Sequence, residues 1–198
     1  MDGKEADRDI FRGRADMKII TKFRKPRRKP HSGARLGGVF HIKCFDKHGR
    51  LKWQDEAKNL VTNVGLQHIL DILFVSATSQ VDPWYVGLTD GTPTPAAGDT
   101  AASHGGWTEV TAYDEANRQT FTDARADQQV DNDGNEATFT ISSDSTTIGG
   151  AFLISDNTKG GSSGTLLCVA AFSGGDKSAD DDDTLEVEYQ FTAADDGV

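Results

Sequence analysis

The side chains best suited to chemistry in this sequence are its aspartates, its five histidines and a glycine-rich turn, and their spacings fit no reaction. The run Asp180-Asp181-Asp182-Asp183, with Asp176 just before it, carries the charge to attract calcium. Calcium takes roughly six to eight oxygens from a shaped loop. Adjacent side chains in a run point apart, so these aspartates read as a solvated loop leading into the last strand. Asp131-Asn132-Asp133-Gly134-Asn135 is closer to a cation loop, but Asp-Gly and Asn turns are ordinary ahead of a strand. His31, His41, His48, His68 and His104 have neither the paired spacing of a zinc site nor a His-Glu motif, and read as scattered surface or rim residues. Ser, His and Asp occur without a nucleophile elbow. Gly160-Gly161-Ser162-Ser163-Gly164 lacks the lysine and the following helix of a phosphate cradle. The residues therefore predict no catalytic group, no metal and no cofactor, and the chain is not expected to be an enzyme. Trp53, Trp84, Trp107, Tyr85 and Tyr113 offer an aromatic platform for sugar, although aromatics in a small β-domain more often fill the core and close its ends.

Charge is the stronger signal. Residues 1–35 hold 12 Lys/Arg against 5 Asp/Glu, a net of +7, while the remaining 163 residues hold 9 against 26, a net of −17. From Lys18 to Arg35 there are eight basic side chains and no acidic one, with Pro26 and Pro30 spacing the densest cluster. So few apolar residues cannot fold alone, which predicts an arm that orders against a partner. Ile19, Ile20 and Phe23 would anchor it by apolar contact, and Arg24, Lys25, Arg27, Arg28 and Lys29 would dock it electrostatically in an acidic groove or subunit junction. An acidic body repels phosphates, so nucleic acid is not the expected partner of the body; for the arm, protein docking is expected ahead of nucleic acid binding or no role. There is no apolar run of membrane-spanning length and no apolar stretch behind the first basic residues, so neither a membrane partner nor an export signal is expected. Cys44 and Cys168 accordingly read as free buried thiols.

The elements that must carry these residues are mostly strands. Residues 39–45 alternate, Asp46 to Arg50 is a turn and Leu51-Lys52-Trp53 resumes, which predicts a hairpin. Thr62 or Asn63 is placed to cap a helix over 64–75, where Leu66, Ile69, Leu70, Leu73 and Phe74 recur at helical spacing. Strands are expected at 84–88, 137–142, 150–154, 166–172 and 185–191, with short extended pieces at 108–113 and 118–121 and a Thr/Pro/Ala/Gly loop over 89–106. Seven or eight short strands with turn-rich links and one short helix predict a mainly β chain, an antiparallel β-sandwich of Greek-key or jelly-roll type. Residues 1–38 would be its extended basic N-terminal arm and 39–198 its body.

Three stretches of the body resemble small structural proteins of tailed bacteriophages. They are Gly38-Val39-Phe40-His41-Ile42 through Gly49-Arg50-Leu51-Lys52-Trp53 to Asn59-Leu60-Val61-Thr62-Asn63-Val64-Gly65-Leu66; then Trp84-Tyr85-Val86-Gly87-Leu88 with Asp99-Thr100, Gly106-Trp107-Thr108-Glu109 and Tyr113 to Arg118; then Gly149-Gly150-Ala151-Phe152-Leu153 with Lys159-Gly160-Gly161 and Phe172 to Asp176. The resemblance implies a virion component, capsid-associated or fibre-like, and does not include the basic arm. Together with the arm it leads to the expectation of a capsid decoration or cement protein, assembled in the host cytoplasm. Its partners would be the major capsid protein and neighbouring copies of itself. The alternative it leaves is a tail or fibre component with a glycan- or receptor-binding face.

Overall fold

The structure is a computed structural model and describes residues 33–76 and 78–195. Among these, thirteen strands and one α-helix follow in the order β1 (Ala34–Phe45), β2 (Leu51–Val61), α1 (Asn63–Leu70), β3 (Trp84–Asp90), β4 (Thr108–Glu109), β5 (Gln119–Phe121), β6 (Ala124–Ala126), β7 (Gln129–Asp131), β8 (Ala137–Thr140), β9 (Thr146–Ile148), β10 (Gly150–Ile154), β11 (Leu166–Ala171), β12 (Lys177–Ala179) and β13 (Thr184–Asp195). Eleven strands form one antiparallel sheet, with β4-β3-β10-β11-β2-β1-β13-β7-β6 as its path, β5 also on β3 and β8 also on β13; β9 and β12 form a second, two-stranded sheet. The mainly β class holds, and the strand number exceeds the seven or eight expected because several strands have only two or three residues.

The predicted β1–β2 hairpin is the spine. Its first strand opens at Ala34, five residues before the alternation becomes visible, and pairs along its whole length with β13 from Ala34↔Asp195 to Phe45↔Thr184. Phe40, Ile42 and Cys44 lie opposite Tyr189, Val187 and Leu185, and all six side chains are buried. Cross-strand apolar pairs of this kind fix register, because a slip of one residue would turn every one of them to solvent. Gly38 is required here: a Cβ at this position would sit 2.8 Å from the Tyr189 ring. The Asn59 side chain closes the site, accepting from the Gly38 N–H at 2.6 Å and donating to the Tyr189 hydroxyl at 2.7 Å.

Strand β2 serves two halves of the sheet, pairing with β1 over Val39↔Lys58 to Phe45↔Leu51 and then with β11 over Asn59 to Val61. The far strands approach each other again, since Tyr113 bridges Ile141 and the Ser142 N–H donates to the Ala112 carbonyl at 3.1 Å. One core fills the space between, with Phe40, Phe139 and Tyr189 from one half against Val86, Leu88 and Leu153 from the other. Strand β10 is buried on both faces: Ala151 and Leu153 join this core, while Phe152 and Ile154 join a second cluster with Leu166, Val169 and Trp107. The loop expected over 89–106 thus has a packing role, since Ala101 and Trp107 from it and its end cover the second face.

Thr62 caps α1 as expected, its hydroxyl accepting from the Gly65 N–H at 3.0 Å. The helix ends at Leu70 and continues as a π-helical turn, Asp71–Val75. Its apolar stripe divides: Ile69 packs against the core, whereas Leu66, Leu70, Leu73, Phe74 and Val75 are exposed.

Both cysteines are free and buried. Burial, reinforced by the Asp183 charge, pushes the Cys44 thiol up to about 12, and burial pushes Cys168 up to about 11. A raised thiol pKa means less thiolate, so at pH 8 the reactive fraction is of the order of 10⁻⁴ to 10⁻³. The native protein is expected to leave a disulfide-exchange reagent such as DTNB unreacted for many minutes at pH 8, and to titrate two thiols on unfolding in guanidinium. Rapid reaction of either thiol in native buffer would contradict the burial.

Candidate functional site

The residues expected to dock a partner, Ile19, Ile20, Phe23, Arg24, Lys25, Arg27, Arg28 and Lys29, lie outside the described residues. Within them, three arrangements concentrate charge or open apolar surface.

The first is built around Arg118, which sits just before β5 and is 3 % exposed. Its guanidinium forks onto Glu109 of β4, Nε donating to Oε1 at 2.9 Å and Nη2 to Oε2 at 2.7 Å. Nη2 also donates to the Gly161 carbonyl at 2.7 Å, and Nη1 to the Asp156 carbonyl at 2.8 Å. Glu109 Oε2 accepts in addition from the Gly160 N–H at 2.9 Å. That close approach comes from a residue with φ of +72°, a conformation that suits glycine. The 160–164 turn is therefore tied at its first two residues. With both carboxylate oxygens and the three guanidinium nitrogens bonded, this pair is a clamp across three segments.

A cavity of about 370 Å³ opens beside the clamp, lined in part by His104, Trp107, Thr111, Ser162 and Leu166. His104 stacks on Trp107 at 3.7 Å, and Phe152 lies against Trp107 at 5.2 Å. Trp107 is only 7 % exposed, so it presents no face on which a sugar ring could stack. The other aromatics are dispersed: Trp53 lies by Phe172, Trp84 by His68 and Tyr113 by Phe139. Tyr85 packs against the cluster that holds Trp107, and the five form no common platform.

The second arrangement bears out the aspartate run as a solvated loop leading into β13 at Asp180, Asp181 and Asp182, which are exposed, and corrects that reading at Asp183. Asp183 is buried at 3 % exposure and its carboxylate accepts from Lys52 Nζ and from the Asp180 N–H. Lys52 also donates to Asp180 at 2.9 Å. These bonds hold the Asp180 carboxyl below its usual range and push the Lys52 ammonium up. The run is thus a turn fastened to β2. Asn132 in the other Asp-rich turn is likewise turned inward, accepting from the Tyr189 N–H at 2.7 Å and donating to the Val187 carbonyl at 3.1 Å.

The third is an apolar groove of about 280 Å³ between α1 with its π-helical turn, the segment before β3, and β5, β7 and β13. Ile69, Ile72, Trp84, Phe121, Val130 and Phe191 line it. His68 lines it too, correcting its reading as a surface histidine: it is 8 % exposed, meets Trp84 edge-on at 5.5 Å, and its Nε2 has no partner. Nothing in the sequence announced this groove, because a helical stripe does not say which part of it packs.

Comparison with known proteins returns no match: no protein family, no curated protein and no solved structure is similar to this chain. No described helix is long and apolar enough to cross a membrane.

Proposed function

We propose that this chain is a structural protein of a tailed-phage virion, a decoration or cement protein on the outer capsid shell. The observation that carries the reading is the charge split, +7 over residues 1–35 against −17 over the rest. A cationic segment joined to an anionic body suits lateral attachment, in which each copy's segment lies on acidic protein surface beside it. The phage-like stretches support the reading in a second way, because their residues are those that hold the fold: Gly38, Asn59 and Thr62 around the hairpin, and Trp107, Glu109 and Arg118 at the clamp. In this reading the body is an antiparallel sandwich of Greek-key or jelly-roll type that begins with β1 at Ala34, and the arm expected over residues 1–38 is shortened to the residues before it, because 34–38 pair with β13. The partners are the major capsid protein and neighbouring copies, with no nucleic acid, membrane or cofactor. Adhesion is the whole mechanism: many weak contacts repeated over a shell sum to resistance against internal pressure.

Immunogold labelling of intact virions with antibody against the 39–198 region tests it. Gold over the heads is the expected result. Gold confined to the tails would replace decoration by a tail or fibre role.

A further inference from the structure

We propose that the groove beside α1 is the receptor for the arm of a neighbouring copy, with Ile19, Ile20 and Phe23 filling it and Arg24 and Lys25 lying against its acidic rim. The inference rests on the decoration reading for the presence of neighbouring copies, and names where on the body the arm binds.

The groove is apolar at its floor, and the helix and π-helical turn that supply Ile69 and Ile72 to it also carry exposed apolar side chains. Leu70, Leu73, Phe74 and Val75 are 52 %, 65 %, 78 % and 64 % exposed, four large side chains within six residues. Contiguous exposure of this kind marks an interaction surface, where scattered apolar residues would not.

Charge selects the occupant. The titratable lining residues are His68, Tyr189, Asp82 and Asp123, of which the two aspartates carry charge, and the lining includes neither Lys nor Arg. Arg125 of β6 stands in register with Val130, but its guanidinium donates to the Asp127 carbonyl at 2.9 Å. An apolar groove with an acidic rim calls for apolar anchors followed directly by basic residues. That order occurs in this chain at Ile19-Ile20-Thr21-Lys22-Phe23-Arg24-Lys25. The ten Cα steps from Phe23 to Gly33, where the described residues begin, extend up to roughly 35 Å, which is the tether available to the anchors.

Two measurements on the full chain test the assignment. A fluorescent peptide of residues 16–32 is titrated into full-length protein carrying I19S, I20S and F23S, so that its own anchors do not compete. Saturable binding is expected, weakened at least tenfold when Phe74→Asp or Ile72→Asp is added to the receptor; Phe74 is so exposed that F74D leaves the fold intact, as native thiol protection would verify. Binding indifferent to both groove substitutions would overturn the proposal. Sedimentation velocity of the wild-type chain at low salt should then show self-association that F74D and the triple serine variant each abolish. A wild-type chain that stays monomeric would overturn docking between copies. Neither assay involves virions, so head labelling together with failure here would reject the groove and leave the decoration reading standing.

Discussion

Replacing Arg118 by Met is expected to lower the free energy of unfolding by about 3–5 kcal/mol, the cost of leaving one member of a buried ion pair without the other. Glu109 would keep only the Gly160 N–H among the bonds named for it, with its side chain 8 % exposed. The Asp156 and Gly161 carbonyls would lose their donor together, so the segment joining β10 to β11 would loosen along with the charge. The second apolar cluster would feel it too, because the guanidinium lies 5.4 Å over the Phe152 ring. Urea unfolding monitored by tryptophan fluorescence gives the number. The double variant Arg118→Met with Glu109→Leu should recover much of the loss, since removing both charges also removes their desolvation cost. A single-variant loss below about 1 kcal/mol, typical of surface pairs, would mean that the clamp does not hold these segments.

What the sequence disclosed follows from where its signals are local. Alternation marked β1, β8 and β13 because each has one face in the core, and continuous apolar runs marked β10 and β11 because both faces are covered. The Thr62 cap was legible because its partner is three residues away. The strands that went unread lack such a signal: Ala124–Ala126 is exposed throughout and Gln129–Asp131 is half-buried, so pairing alone defines them. Arg118 is the instructive omission. Its partners are 9, 38 and 43 residues away, and no window of sequence contains that geometry. Asp183 is similar, since four identical neighbours gave no sign of which one turns inward to Lys52. For the helix, periodicity located the stripe, but tertiary packing decided that Ile69 would meet the body while Leu73 and Phe74 would not.

Changing Arg24, Lys25, Arg27, Arg28 and Lys29 together to Glu is expected to reduce the copy number on purified heads below about a tenth. Five reversals at two charges each take residues 1–35 from +7 to −3, so attraction to an acidic surface becomes repulsion. Even at about 0.5–1 kcal/mol for each exposed contact, the attraction lost is roughly 2.5–5 kcal/mol, a factor of about 60 to several thousand in affinity. The clamp and both apolar clusters are built from residues beyond position 35, so the urea midpoint of the free protein should not move. Five alanines should give an intermediate copy number, and wild-type attachment should weaken with salt as the contacts are screened. Unaltered copy number in the reversed variant would sink the electrostatic role of this cluster. A DNA-binding arm would give the same loss on reversal, and occupancy separates the two. If the acceptor is protein, heads emptied of DNA take up the wild-type chain as fully as filled ones, and dependence on packaged DNA would point to phosphate instead.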